Sequence, residues 1–285
     1  MRAIDVHVHI QPHEQVRPEA LRVLRGNVGH RRELRTFLRS PSRFVDYLDR
    51  IGVAKAALIN YVAPEVIGFT AAVNDWVATY AREHRDRLLP FGSVHPLVTK
   101  DCRREAERLL SKLELTGLKV HGPHQGFAPN AYLDSPRFRG LRAVYAVADR
   151  AGVPVMFHTG TSVFPGARSR YGDPMLVDDV AVDFPDLKII LAHGGRPLWC
   201  EAAFFLARRH RNVSIDISSI PPKNLLQYFP RIEEMPRKFL FGSDWPGPGV
   251  PGIEENVRAV QSLDLTGSTV KRVLYENAAR LFRGA

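Results

Sequence analysis

The sequence predicts an α/β protein, a single-domain (β/α)8 TIM barrel. Eight short apolar runs alternate with longer amphipathic ones. Several runs, such as Val153-Pro154-Val155-Met156-Phe157 and Leu187-Lys188-Ile189-Ile190-Leu191-Ala192, are nearly all apolar, as parallel strands buried on both faces are. No low-complexity tract or break in composition divides the repeats. The runner-up is an open doubly wound sheet, which would carry a phosphate-binding glycine turn after a strand.

Strands are expected at 3–9, 55–60, 89–94, 117–121, 153–158, 187–193, 212–216 and 238–243. The first alternates: Ile4, Val6, Val8 and Ile10 fall on one face, and Asp5, His7 and His9 on the other. Helical periodicity fills the intervals near 42–51, 70–84, 100–114, 137–151, 175–183, 197–209, 222–232 and 252–263. Two further helices, near 268–275 and 276–283, close the chain. The domain is expected to span 1–285, with residues 11–43 an excursion after the first strand. The Pro- and Gly-rich loop from Trp245 to Pro251 suits a barrel mouth better than a domain linker.

Composition bounds the function. The 285 residues are 45% hydrophobic and 25% charged, an ordinary globular mixture with ample length for a core. Cys102 and Cys200 are too few for a disulfide framework and lack metal-site spacing, so a reducing cytoplasm is the simplest reading. No signal segment precedes the first strand, and no apolar run approaches the roughly 18 residues of a membrane span.

The net charge of +10 is spread along helical segments, such as Arg103, Arg104, Arg108 and Arg208, Arg209, Arg211, without a nucleic-acid motif. A solvated arginine-rich surface accounts for it, and nucleic acid is not an expected partner. The densest run holds Arg17, Arg22, Arg25, Arg31, Arg32, Arg35, Arg39 and Arg43. It either covers an active site and favours an anionic substrate or is a solvated helical segment.

His7 and His9 are a ready pair of metal ligands, although an exposed face carrying two histidines reads the same in isolation. Four other segments share one pattern, an apolar strand ending in a polar residue before a turn. They are Gly117-Leu118-Lys119-Val120-His121, Phe157-His158-Thr159-Gly160, Ala192-His193-Gly194-Gly195 and Gly242-Ser243-Asp244-Trp245-Pro246. In a barrel all such strand ends open on one face. His7, His9, His158 and Asp244 then converge as three imidazoles and a carboxylate, a set suited to Zn²⁺, Mn²⁺ or Fe²⁺. Taken one at a time, a histidine ending a strand is equally a hydrogen-bonded structural residue, and Asp244 a turn cap.

With these motifs, the chain resembles the amidohydrolase superfamily, in particular the branch containing aminocarboxymuconate semialdehyde decarboxylase and related TIM-barrel metal-dependent hydrolases. Pro90-Phe91-Gly92-Ser93-Val94-His95-Pro96 and the ending Tyr275-Glu276-Asn277-Ala278-Ala279-Arg280-Leu281-Phe282 add to the likeness, which covers essentially the whole chain. The resemblance implies that His7, His9, His158 and Asp244 bind one divalent metal, zinc in the first instance. It implies that His193 acts from outside the ligand set and that Asp244 and His193 are catalytic.

Lys119 is either a carbamylated bridge between two metals, a cationic anchor for a substrate carboxylate, or a structural lysine paired with an acid. The branch favours it unmodified beside one metal. His121, Arg196, Tyr61 and Trp245 are further candidate substrate contacts, and His124 another candidate wall, each with a packing or surface alternative. The expected activity is hydrolysis of a small amide, ester or lactone, carboxylated, by a metal-activated water. The alternative is a non-oxidative carboxy-lyase acting on an unsaturated or aromatic acid with the same ligands. A non-catalytic barrel would be expected to lack a ligand, and none is missing. A small-molecule substrate and, by the prevalence of twofold oligomers, a homodimer complete the expectations.

Overall fold

The structure, a computed structural model, describes residues 2–25 and 31–283. Residues 26–30 and the side chains of Arg25 and Arg31, parts of the basic run, lie outside the described residues. Eight strands form one parallel sheet in sequence order: β1 Ala3–Val8, β2 Val53–Ile59, β3 Leu88–Gly92, β4 Gly117–Val120, β5 Val155–His158, β6 Ile189–Ala192, β7 Val213–Asp216 and β8 Phe239–Leu240. β8 returns to β1, and the fold is a (β/α)8 barrel.

Helices α1 Pro18–Arg25, α2 Arg31–Arg39 and α3 Pro41–Arg50 follow β1, and α4 Ala72–Ala81 follows β2. After β3 comes α5 Cys102–Ser111; after β4 come α6 Gly122–Gln125, α7 Ala131–Asp134 and α8 Arg139–Arg150. α9 Asp178–Asp183, α10 Cys200–Arg209 and α11 Leu225–Tyr228 follow β5, β6 and β7. α12 Ile253–Gln261, α13 Gly267–Lys271 and α14 Asn277–Leu281 end the chain. Caps mark several starts: Ser40 accepts from the Arg43 amide at α3, and Asp101 from the Arg104 amide at α5. The helix expected over 222–232 shrinks to α11 and short 3-10 turns. Pro221, Pro222 and Pro230 lack the amide hydrogens a continuous helix needs.

The strict alternation expected of the first strand does not hold. Ile4 and Val6 both pack into the barrel interior with Ala57, Leu89, Met156, Ile190 and Leu240. Val8 and Ile10 join the layer between sheet and helices. The register with β2 shifts between Asp5 and Val8. Asp5 Oδ1 accepts from the His7 amide (3.0 Å) and, across the closing seam, from the Ser243 amide (3.0 Å). That seam also explains why β8 stops at Leu240 rather than reaching 243. Phe241 donates its amide to Val273, not to a strand neighbour. Val6 donates to Phe241 (2.9 Å), Asp244 to His7 (2.8 Å) and His9 to Trp245 (2.7 Å), so β1 closes mainly onto the loop after β8. α14 stoppers the opposite end, where Phe282 meets Phe91 at 6.2 Å between ring centroids.

The excursion after β1 does cover the mouth, but with apolar residues. Val16 and Ala20 pack on Tyr61, Ile67 and Phe69, and Leu24 lines the central cavity. Arg17, Arg22, Arg32, Arg35, Arg39 and Arg43 are exposed, and none lines that cavity. Their charge therefore does not select an anionic substrate by contact. Helical periodicity puts the apolar positions inward and leaves the long cations in water.

Candidate metal centre

His7 and His9 lie at the end of β1, and His158 ends β5. His193 and Asp244 sit in tight turns just past β6 and β8, with left-handed φ of 66° and 65°. Such backbone is rare for residues with a Cβ, costs of order 1–3 kcal/mol, and concentrates at functional sites. Both side chains line the cavity at the mouth. Glycine makes the room. A Cβ on Gly194 would meet the Phe229 ring at 2.7 Å, and one on Gly242 would meet Asp216 Oδ1 at 2.3 Å.

The side chains converge. His7, His193 and Asp244 each offer a donor atom within 4.8 Å of the others, a grouping able to hold a metal ion. His9 Nε2 lies 3.0 Å from Asp244 Oδ1, and His7 Nε2 3.5 Å from the same oxygen. The His158 ring lies 4.7 Å from that of His193, and its buried Nε2 has no hydrogen-bond partner. The geometry thus draws His193 into the group with His7 and Asp244, nearer than the resemblance implies, with the His158 ring beside that of His193.

The imidazoles are oriented from behind. His7 Nδ1 meets Asp216 Oδ2 at 2.6 Å, His9 Nδ1 donates to the Ile59 carbonyl at 3.1 Å, and His193 Nδ1 faces the Ser218 carbonyl at 3.2 Å. With Nδ1 engaged, each Nε2 turns inward as a lone-pair donor, the arrangement that metal-binding histidines use. Burial holds His7, His158 and His193 well below the usual imidazole pKa, with the Lys119 charge acting in the same sense, so all three are neutral. Burial acts to raise Asp244, but its close contact with His9 and the positive charge around it outweigh that and lower it to about 2. Neutral imidazoles, an ionised carboxylate and an orphaned His7 Nε2 fit a divalent cation.

The centre forms the floor of a cavity of about 220 Å³. Lys119, His121, Tyr61, His124 and Arg196 line its walls. Lys119 is 1% exposed with Nζ unpartnered, and burial lowers its pKa to about 7. His121 stacks on His158 at 3.9 Å and on His124 at 3.6 Å. Tyr61 hydroxyl meets His124 Nδ1 at 3.0 Å. Trp245 is a correction: its ring packs against Phe37 and Phe44 of α2 and α3, 1% exposed, and does not line the cavity. It follows Asp244 in sequence, but the left-handed turn at Asp244 and the aromatic cluster of α2 and α3 carry its ring away from the cavity.

Sequence reasoning missed Asp216 and Ser218. Asp216 is fully buried; its Oδ2 accepts from Ser218 Oγ at 2.7 Å as well as meeting His7. The signal was present, since Val213-Ser214-Ile215-Asp216 is another apolar strand ending in a polar residue.

A (β/α)8 barrel with imidazoles and a carboxylate gathered at the C-terminal mouth defines a class of barrel enzymes. The amidohydrolase family model matches residues 4–284, and the chain belongs to that family. No curated protein matches the chain in sequence. Among solved structures it is similar to an uncharacterized TIM-barrel protein from Bordetella bronchiseptica, at 20% identity over 99% of both chains with a TM-score of 0.76. It is also similar to a probable 2-pyrone-4,6-dicarboxylic acid hydrolase from Acinetobacter baumannii with citric acid bound, at 17% identity over 99% of this chain and 100% of that one, TM-score 0.65. A dihydroxybenzoic acid decarboxylase from Polaromonas with bound manganese and an inhibitor matches at 17% identity over 99% and 97% of the chains, TM-score 0.66. At these identities the likeness establishes the shared fold. None of the described helices is long and apolar enough to cross a membrane.

Proposed function

We propose that the protein is a metal-dependent hydrolase of a small amide, ester or lactone that carries a carboxylate. The observation that supports this best is the meeting of Asp244 with the Nε2 atoms of His7 and His9 on the floor of a cavity whose walls hold two cations, Lys119 and Arg196. His7, His9, His158 and Asp244 would hold one divalent ion, zinc by preference, with manganese or iron suited to the same donors. When bound, the ion supplies acidity to a water molecule and polarisation to a carbonyl.

The chain's own groups do the rest. Ionised Asp244 accepts the proton of the attacking water and later returns it to the leaving nitrogen or oxygen. His193, held by Ser218, orients that water through its inward ring nitrogen. Lys119 and Arg196 anchor the substrate carboxylate, and Tyr61 and His121 bound its flat side. Turnover of carboxylated lactones, esters and amides in oxygen-18 water tests the reading. The hydrolase places one label in the product carboxylate, whereas carbon dioxide release without label assigns the carboxy-lyase.

A further inference from the structure

Arg196 stands between two spaces. On one side is the catalytic cavity of about 220 Å³. On the other is a groove of about 650 Å³ between the loops after β7 and β8, lined by Ile217, Ile220, Leu225, Val250, Ala259 and Val260. The two share only Arg196, Ser219 and Pro248 as wall residues. Arg196 Nη2 donates to Ser219 Oγ at 2.5 Å, while its buried Nε has no partner. Ser219 holds a left-handed φ of 58°, strained for a residue with a Cβ.

We propose that the groove is a substrate subsite and that it takes the apolar body, an aryl or alkyl chain, of a carboxylate whose reacting end lies over Asp244. The proposal rests on the anchoring role given to Arg196 above. Volume supports it. Pockets for organic ligands run to about 300–1,000 Å³, so the catalytic cavity alone admits only a very small acid, and the groove supplies the missing room. Chemistry supports it as well. The guanidinium divides the spaces, so a carboxylate bound to it sits at their junction, and the free Nε adds a donor for a second oxygen. The groove's lining is mainly aliphatic, with Lys223, Asn224 and Asn256 among its polar members, and burying a chain against the aliphatic part is favourable in proportion to its apolar area.

Calorimetric binding of propionate, 3-phenylpropionate and 4-phenylbutyrate to the whole protein tests this, alongside Ala259→Trp. Ala259 is half-buried on α12 and touches no catalytic group, and its indole would fill the groove. The expected result is that 4-phenylbutyrate binds at least tenfold tighter than propionate to the wild type, and that Ala259→Trp erases the gain while propionate affinity stays. An unchanged propionate affinity also reports that the variant is folded. No gain with length, or an equal gain in both proteins, overturns the subsite alone. Failure of all three acids to bind either protein overturns the carboxylate anchor and the subsite with it.

Discussion

His7 Nδ1 and Asp216 Oδ2 lie 2.6 Å apart, joining the first strand to the seventh beside the candidate metal centre. Asp216 is held in turn by the amide and hydroxyl of Ser218, and Ser218 Oγ also reaches His193 Nδ1 at 2.9 Å. One carboxylate and one serine thus set the orientation of two of the imidazoles on the floor of the cavity.

Asp216→Asn should keep the fold and loosen the metal. The amide fits the same space but is a weaker acceptor for His7, and loss of such a partner costs about 10–100-fold in metal affinity. Metal titration followed by a competing chelator measures it; unchanged affinity would show that the contact does not orient a ligand.

The two loop-end histidines should separate. His158→Ala is expected to lower metal content per chain, while His193→Ala keeps the metal and loses turnover by about 100-fold or more, the usual scale for a proton-handling group. Elemental analysis of both purified variants decides. Metal loss in His193→Ala with full metal in His158→Ala would exchange their roles, as the grouping of His193 with His7 and Asp244 permits.

Carboxylate binding should weaken toward alkaline pH. Burial lowers Lys119 to about 7, so its ammonium is lost as pH rises through that value, well before an ordinary lysine would deprotonate. Affinity for a carboxylate is therefore highest below about 7 and falls above it. Lys119→Met should lower the acid-side affinity by roughly 1.5–3 kcal/mol, the range for a hydrogen bond to a charged group, and flatten the profile. An identical profile in the variant would remove Lys119 from the binding site.

Gly242→Ala should damage stability and the centre together. The new methyl would press on Asp216 Oδ1, His7 Cβ and Ser218 Cβ, all within 3.0 Å of its ideal position. Overpacking of this kind costs about 1–3 kcal/mol, which a urea titration reads, and displacement of Asp216 should reduce metal affinity in the folded fraction.

Much of this molecule is legible one strand at a time. Apolar runs bounded by turns mark all eight strands because a parallel barrel buries both faces of each. The rule that polar residues ending such runs gather at one mouth brought His7, His9, His158, His193 and Asp244 to a single cavity. The same rule applied to β7 would have added Asp216. Trp245 escaped it because its burial in the aromatic cluster of α2 and α3 is a property of packing between distant segments.

The sequence by itself determined the barrel, the order of its strands and the side chains that reach its mouth, since these follow from periodicity and from residues next to one another in the chain. Only the tertiary structure decided that Asp5 bonds across the closing seam, that Asp216 and Ser218 orient the imidazoles, that Arg17, Arg22, Arg32, Arg35, Arg39 and Arg43 face water, and that Arg196 divides two cavities. Each of these depends on contacts between segments far apart in the chain, which local pattern does not encode. The left-handed turns at His193 and Asp244 belong with them, because their strain is sustained by the seam and the loops packed around it.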